Sequence, residues 1–163
     1  MSATLDPIDV FRELTGLKFL QEMEGRPITE KRYPVDFPEE NRESLLVEAP
    51  KFTSSNRGPQ YSQNKTRQQY AEAIKATVKS PGNSLICMPS YSEAEWAADL
   101  IKQSNINKPV LLDESSSDAE TQELKEEFFK GGGKVLATSL GGTLIEGVDY
   151  KGDKLQSVVI CGV

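Results

Sequence analysis

The residues best suited to chemistry lie between Thr138 and Asp149, in the run Thr-Ser-Leu-Gly-Gly-Thr-Leu-Ile-Glu-Gly-Val-Asp. Small hydroxyl residues, Ser139 and Thr143, flank the pair Gly141-Gly142, and two acids, Glu146 and Asp149, follow three apart. Glycines let a backbone approach a phosphate closely, and turn amides can cradle an anion. Acids three apart share one side of a helical turn. A tight connection that needs glycines and carries two solvated acids accounts for the same residues. A second group is Ser90-Tyr91, whose hydroxyls can donate to phosphate oxygens without reading a base sequence. Equally, Ser90 can simply precede a helix while Tyr91 packs. A third is a basic strip. Lys51, Arg57, Lys65, Arg67, Lys75 and Lys79 face the single acid Glu72 between positions 51 and 79.

What is missing narrows the chemistry further. The chain has no histidine, which removes Ser-His-Asp catalysis, histidine metal sites and histidine pH switching together. Its 2 cysteines, Cys87 and Cys161, each sit in an apolar run, so they read as buried free thiols of a cytoplasmic protein. Met1–Arg12 lacks the apolar core of a signal peptide. No apolar run approaches the roughly 20 residues of a membrane span. The net charge of −6 argues against nucleic acid as a partner, although the basic strip is local and the acids gather elsewhere, notably over Asp113–Glu127.

The elements that must position these groups show in the periodicity. Tyr70, Ile74 and Val78 stand four apart and predict a helix over Thr66–Lys79. Ser84–Met88 is a short apolar run, a buried strand. A helix over Glu93–Gln103 follows, with Ser92 as N-cap and Glu95 completing a capping box. Pro109–Asp113 is the second strand. A helix over Asp118–Lys130 is capped from Ser115–Ser117 and stopped by Gly131-Gly132-Gly133. Lys134–Ser139 and Ser157–Cys161 are the third and fourth strands. Strands separated by single helices mean βαβ units, so the expected fold is α/β, a RecA-like or Rossmann-like parallel sheet with right-handed crossovers and helices on both faces. Upstream, Asp6–Leu17 reads as one helix with Asp6 as N-cap and Pro7 at the first helical position. Ser44–Val47 is strand-like, and Phe52–Gln63 is a polar loop. At 163 residues the chain holds about one domain, expected over 66–163, preceded by a less regular segment over 1–65.

Four segments, three motifs and a linker, carry a resemblance. Ser139 to Asp149, continuing through Tyr150 to Gly152, is similar to motif V of the XPD/DinG-type superfamily 2 DNA helicases, here Glu146-Gly147-Val148-Asp149 followed by an aromatic residue. Met88-Pro89-Ser90-Tyr91 resembles their motif IV. Ser2-Ala3-Thr4-Leu5 resembles motif III, which couples the two motor domains, and Tyr33–Arg42 resembles the interdomain linker. The three motifs occur in the family's order along nearly the whole chain.

The resemblance implies a second RecA-like motor domain (a P-loop NTPase helicase domain 2) of an ATP-dependent DNA helicase that translocates on single-stranded DNA. It implies Glu146, Gly147 and Asp149 as catalytic candidates at the nucleotide–DNA junction, with Asp149 reaching the ribose or a motif VI arginine. It implies Ser90, Tyr91, Ser139 and Thr143 as DNA-facing groups. Arg57, Lys65 and Arg67 are weaker electrostatic candidates, and Ser2, Ala3 and Thr4 are coupling residues. ATP and Mg2+ would be held by a first RecA-like domain in cis, since the Gly-x-x-x-x-Gly-Lys-Ser/Thr phosphate loop is not in this sequence. An iron–sulfur cluster, in the XPD branch, belongs to that first domain as well. Motif VI is expected to follow Val163. The expected isolated chain is an inactive monomer, away from any membrane. A second class of reading is a non-enzymatic α/β module that binds a phosphorylated ligand or a protein partner, with Gly141-Gly142 as its anion site.

Overall fold

The computed structural model describes residues 7–31, 38–41, 43–53, 65–114, 117–145 and 148–162. The chain divides into two compact units, Met1–Leu45 and Leu46–Val163.

The first unit contains two short helices, α1 (Ile8–Leu14) and α2 (Leu17–Glu24), and a turn of 3-10 helix at Glu39–Asn41. The single helix expected over Asp6–Leu17 is therefore split. Gly16 takes a left-handed φ of 75° between α1 and α2, a conformation that costs glycine nothing, and Leu17 opens a new helix. Pro7 occupies the cap position of α1 rather than its first turn, and Asp6 lies outside the described residues. Ser44–Val47 forms no strand. Leu45, Leu46 and Val47 are 80%, 95% and 60% exposed, so no buried face fixes them in a ladder.

The second unit is a RecA-like α/β domain. Helix α3 (Lys65–Val78) leads into β1 (Ser84–Met88), followed by α4 (Tyr91–Lys102), β2 (Val110–Leu112), α5 (Asp118–Phe129), β3 (Val135–Ser139) and β4 (Ser157–Ile160). All strand pairs are parallel and the order is β2-β3-β1-β4. Leu85 stands beside Leu136, and Ile86 beside Ala137 and Val159. Because side chains alternate along a strand, β1, β2 and β3 feed two cores, whereas β4 adds only Val159 to one of them and leaves Val158 and Ile160 exposed. Ile86, Met88, Val135 and Ala137 pack with Ile74 and Val78 of α3 and with Ala94, Ala97, Ala98 and Ile101 of α4. Leu85, Cys87 and Leu136 pack with Phe128 of α5 and with Leu144. The three alanines are fully buried, and their small size lets α4 lie close on the sheet. Phe52, from the polar segment ahead of α3, is only 4% exposed and joins the first of these cores.

The amino-terminal edge of the sheet is closed by side chains bonded to backbone. Buried Asn83 donates to the carbonyls of Phe128 (2.8 Å) and Lys154 (3.1 Å) and accepts from the Lys134 amide (2.9 Å). Lys108 Nζ donates to the carbonyls of Ser80 and Gly82 at 2.6 and 2.7 Å. Ser117 and Glu120 form the expected capping box of α5. The cap of α4 differs from expectation. Ser90, extended at φ −155°, caps a helix that starts at Tyr91, two residues earlier than the Ser92 reading placed it. The strand ends at Met88 and Pro89 follows directly, so the chain turns at once and the earlier hydroxyl meets the first free amides.

Candidate functional site

Parallel strands deliver all their carboxyl ends to one edge of the sheet, and in α/β folds that edge carries the ligand crevice. Here it brings together the β1–α4 corner, the end of β2 and the loop after β3. Both glycine-bearing and hydroxyl-bearing segments found in the sequence arrive there. They are joined directly, because the Leu140 amide donates to the Met88 carbonyl at 2.8 Å.

At the β1 corner, Ser90 Oγ accepts from the Glu93 amide at 3.4 Å and lies 3.1 Å from Ser92 Oγ. Tyr91 is half-buried and Ser92 exposed. Tyr91 and Ser92 line a cleft of about 290 Å³ with Glu95, Leu112, Asp113 and Glu114. The α4 wall of the cleft carries the Tyr91 and Ser92 hydroxyls together with the Glu95 carboxylate, and the β2 side carries Asp113 and Glu114.

The loop after β3 is built around Gly142. An added Cβ there would lie 2.9 Å from Thr138 Oγ1, 3.0 Å from the Ser139 carbonyl and 3.2 Å from Asp113 Oδ2, so only glycine fits without a shift. Its amide donates to the Ser139 carbonyl at 2.9 Å, and the Gly141 amide to Ser139 Oγ at 3.4 Å. The two amides suggested by sequence as an anion cradle are therefore bonded to Ser139, and of the pair it is Gly142 that serves close packing. Ser139 is itself buried beneath the loop, whereas Thr143 is exposed.

Asp113 is the site residue that the sequence reading missed. It directly follows β2, is 2% exposed, and its Oδ2 accepts from buried Thr138 Oγ1 at 2.6 Å. An acid closing an apolar strand at the carboxyl edge was the available signal, hidden because the same residue type also ends strands in solvent. Downstream, Tyr150 donates to the Leu144 carbonyl at 2.6 Å and packs edge-on against Phe128 and Phe129. Burial, with minor contributions from Cys87 and Asp113, pushes its hydroxyl up to about 12, so it stays a neutral donor that closes the loop. Asp149 is exposed, with Lys151 Nζ at 3.0 Å.

Arg67 and Lys65 separate in character. Lys65 is exposed at the start of α3, but Arg67 is largely covered, paired with Glu93 and stacked 4.5 Å above the Trp96 ring. Glu146, Gly147, Ser2, Ala3, Thr4 and Arg57 lie outside the described residues. Among the described residues no group of His, Cys, Asp and Glu is placed to hold a metal ion, and no helix is long and apolar enough to cross a membrane. Cys87 and Cys161 are free and buried.

A family model described as the helicase C-terminal domain matches residues 73–163. A probable ATP-dependent helicase of Methanocaldococcus jannaschii is 40% identical over 85 residues, which cover 48% of this chain and 13% of that protein. This chain is therefore similar to a small part of a much longer relative. No solved structure matches it.

Proposed function

Because the chain belongs to the helicase C-terminal domain family, we propose that it is the second motor domain of an ATP-dependent DNA helicase that couples ATP hydrolysis to movement along single-stranded DNA. In this reading residues 1–65 hold the end of the first domain and the linker, and 66–163 the second RecA-like domain. The domain works in cis with a first RecA-like domain that supplies the phosphate loop and holds Mg2+. An iron–sulfur cluster, if the parent carries one, also belongs there: the two thiols of this chain are buried in and beside the sheet and do not fit one. The isolated chain, lacking that partner, does not turn over ATP. Its cytoplasmic location and monomeric state are part of the same proposal.

The observation that carries the reading is the direct bond between the β1 corner and the β3 loop. Through Leu140 and Met88, the hydroxyl-bearing corner and the segment leading to Asp149 form one continuous piece of the sheet edge. A strand lying across that edge would receive hydrogen bonds to its phosphates from Ser90 and Tyr91, with Thr143 and Lys65 as further donors. Ser139 acts from beneath, by holding the Gly141 amide. By their resemblance to motif V, Glu146, Gly147 and Asp149 are assigned to the junction between DNA and the nucleotide bound by the first domain. Asp149 takes the ribose or an arginine there, so nucleotide state and strand position are set by the same loop. Among the described residues the cleft beside this edge is lined by hydroxyls and carboxylates and by no cation, so strand binding here rests on hydroxyl donors more than on charge.

The test is substitution in the full-length protein. Glu146→Ala and Asp149→Ala should each lower DNA-stimulated ATP turnover at least about tenfold, as expected when groups at a reacting junction are misplaced. Unchanged turnover in both would remove this role.

A further inference from the structure

Arg67 reads by sequence as a phosphate contact, yet the structure commits its guanidinium to the protein. Its Nη2 donates to Glu93 Oε1 at 3.3 Å, and its Nη1 lies 3.2 Å from Glu93 Oε2, an ion-pair contact outside hydrogen-bond geometry. The same guanidinium lies over two rings, 4.5 Å from the centroid of Trp96 and 5.6 Å from that of Phe52. Phe52 in turn packs 4.4 Å from Tyr70 and 5.8 Å from Trp96, ring centre to ring centre. The Tyr70 hydroxyl donates to the Pro50 carbonyl at 3.2 Å. On its other side, Glu93 is 7% exposed, and its amide donates to the oxygen of Ser90.

We propose that Arg67 and Glu93 are positioning residues for the DNA-facing corner of the sheet, tying Ser90 and Tyr91 to the segment Pro50–Phe52 that precedes the domain's first helix. This rests on the reading of Ser90 and Tyr91 as groups that meet the DNA backbone. Glu93 is the joint. Its amide fixes the cap that orients Ser90, and its carboxylate is held by Arg67, which the aromatic rings of Phe52 and Trp96 keep in plane. A shift of the Phe52 segment is carried through the guanidinium to the first turn of α4, each link being in direct contact with the next. Arg67 also offsets a negative charge that would otherwise lie two residues from a phosphate-facing tyrosine. Arginine suits this place because it pairs with a carboxylate and stacks on aromatic faces at once, which lysine does not.

The two roles for Arg67 differ in the sign of one effect. If charge alone mattered, Glu93→Gln would remove a repulsive carboxylate and tighten binding of single-stranded DNA. If Glu93 positions the corner, the same substitution weakens binding about three- to tenfold. Arg67→Gln weakens it by a like factor without altering the salt dependence, whereas loss of a direct phosphate contact would lower the slope of log K against log salt by about 0.7. Arg67→Lys, which keeps the charge, also weakens binding. The double substitution Arg67→Gln/Glu93→Gln is no worse than either single one, because both break the same link.

The measurement is fluorescence anisotropy of the full-length protein with an oligothymidylate over a range of salt, alongside a thermal melt of each variant to show that it is folded. Tighter binding by folded Glu93→Gln, or wild-type binding by Arg67→Lys together with a reduced salt slope for Arg67→Gln, overturns the positioning role and leaves the DNA-binding reading standing. A wild-type protein that does not bind the oligonucleotide overturns both. If Glu93→Gln is unfolded, Arg67→Lys and the slope of Arg67→Gln decide alone.

Discussion

Gly141 and Gly142 are adjacent and alike in sequence, but the structure assigns them opposite responses to the same substitution. A methyl group on Gly142 would meet Thr138 Oγ1 at 2.9 Å, the Ser139 carbonyl at 3.0 Å and Asp113 Oδ2 at 3.2 Å. Two of these atoms form the buried Thr138–Asp113 bond and the third is backbone, so the methyl has nowhere to go cheaply. Overpacking of this kind costs about 1–3 kcal/mol. Replacing glycine by alanine returns about 0.4–1 kcal/mol through the unfolded chain where the site tolerates it. The net for Gly142→Ala is thus a loss of roughly 1–2 kcal/mol, or a melting temperature lower by about 3–6 °C in a domain of this size. Gly141 has nothing within 4 Å of an added Cβ and no left-handed φ, so Gly141→Ala should be neutral or slightly stabilising. Thermal denaturation followed by circular dichroism reads both. Thr138→Ala/Gly142→Ala adds a check, since removing the hydroxyl at 2.9 Å relieves the closest contact and the pair should lose less than the sum of its parts. Equal losses at Gly141 and Gly142, or a silent Gly142→Ala, would refute the packing account of this loop.

Asn83→Ala removes three side-chain hydrogen bonds at the amino-terminal edge, one buried and two part-buried, and should cost roughly 2–3 kcal/mol in urea unfolding, against well under 1 kcal/mol for exposed Asn105→Ala. The Glu120 carboxyl is held below its usual range chiefly by its hydrogen bonds from Ser117. That contribution is therefore present above the ordinary glutamate value near 4.5 and lost as pH falls through the lower folded value. Ser117→Ala should accordingly lower the melting temperature at neutral pH, with the gap to wild type narrowing in acid to what the pH-independent cap bond from the Glu120 amide contributes. Burial pushes the Cys87 thiol up to about 11 and the Cys161 thiol up to about 12, so both should resist a disulfide reagent in the folded protein and react together on unfolding.

Much of the second unit was legible because its signals are local. Tyr70, Ile74 and Val78 mark the buried stripe of α3, and the apolar runs at Ser84–Met88 and Val135–Ser139 match strands buried on both faces. Ser117 and Glu120 spell a cap that the backbone uses. Where two solutions were locally equivalent, tertiary geometry decided. Ser90 and Ser92 both suit a cap, and the position of Pro89 after the strand selected the first. The three-residue spacing of Ile8, Phe11 and Leu14 suits one helix running to Leu17, and Gly16 broke it in two. At the site, the glycine loop and the Ser90-Tyr91 corner were visible as residue types. The Asp113–Thr138 bond and the Arg67–Glu93 pair were not, because each joins residues far apart in sequence whose types are common on any surface.

If, as proposed, this sheet edge works as half of a DNA-driven ATPase, ATP turnover of the full-length protein must depend on DNA. Turnover measured with and without single-stranded DNA should rise several-fold when DNA is added, and Asp149→Ala should abolish that rise. Turnover indifferent to single-stranded DNA, or a rise that survives Asp149→Ala in full, would contradict it.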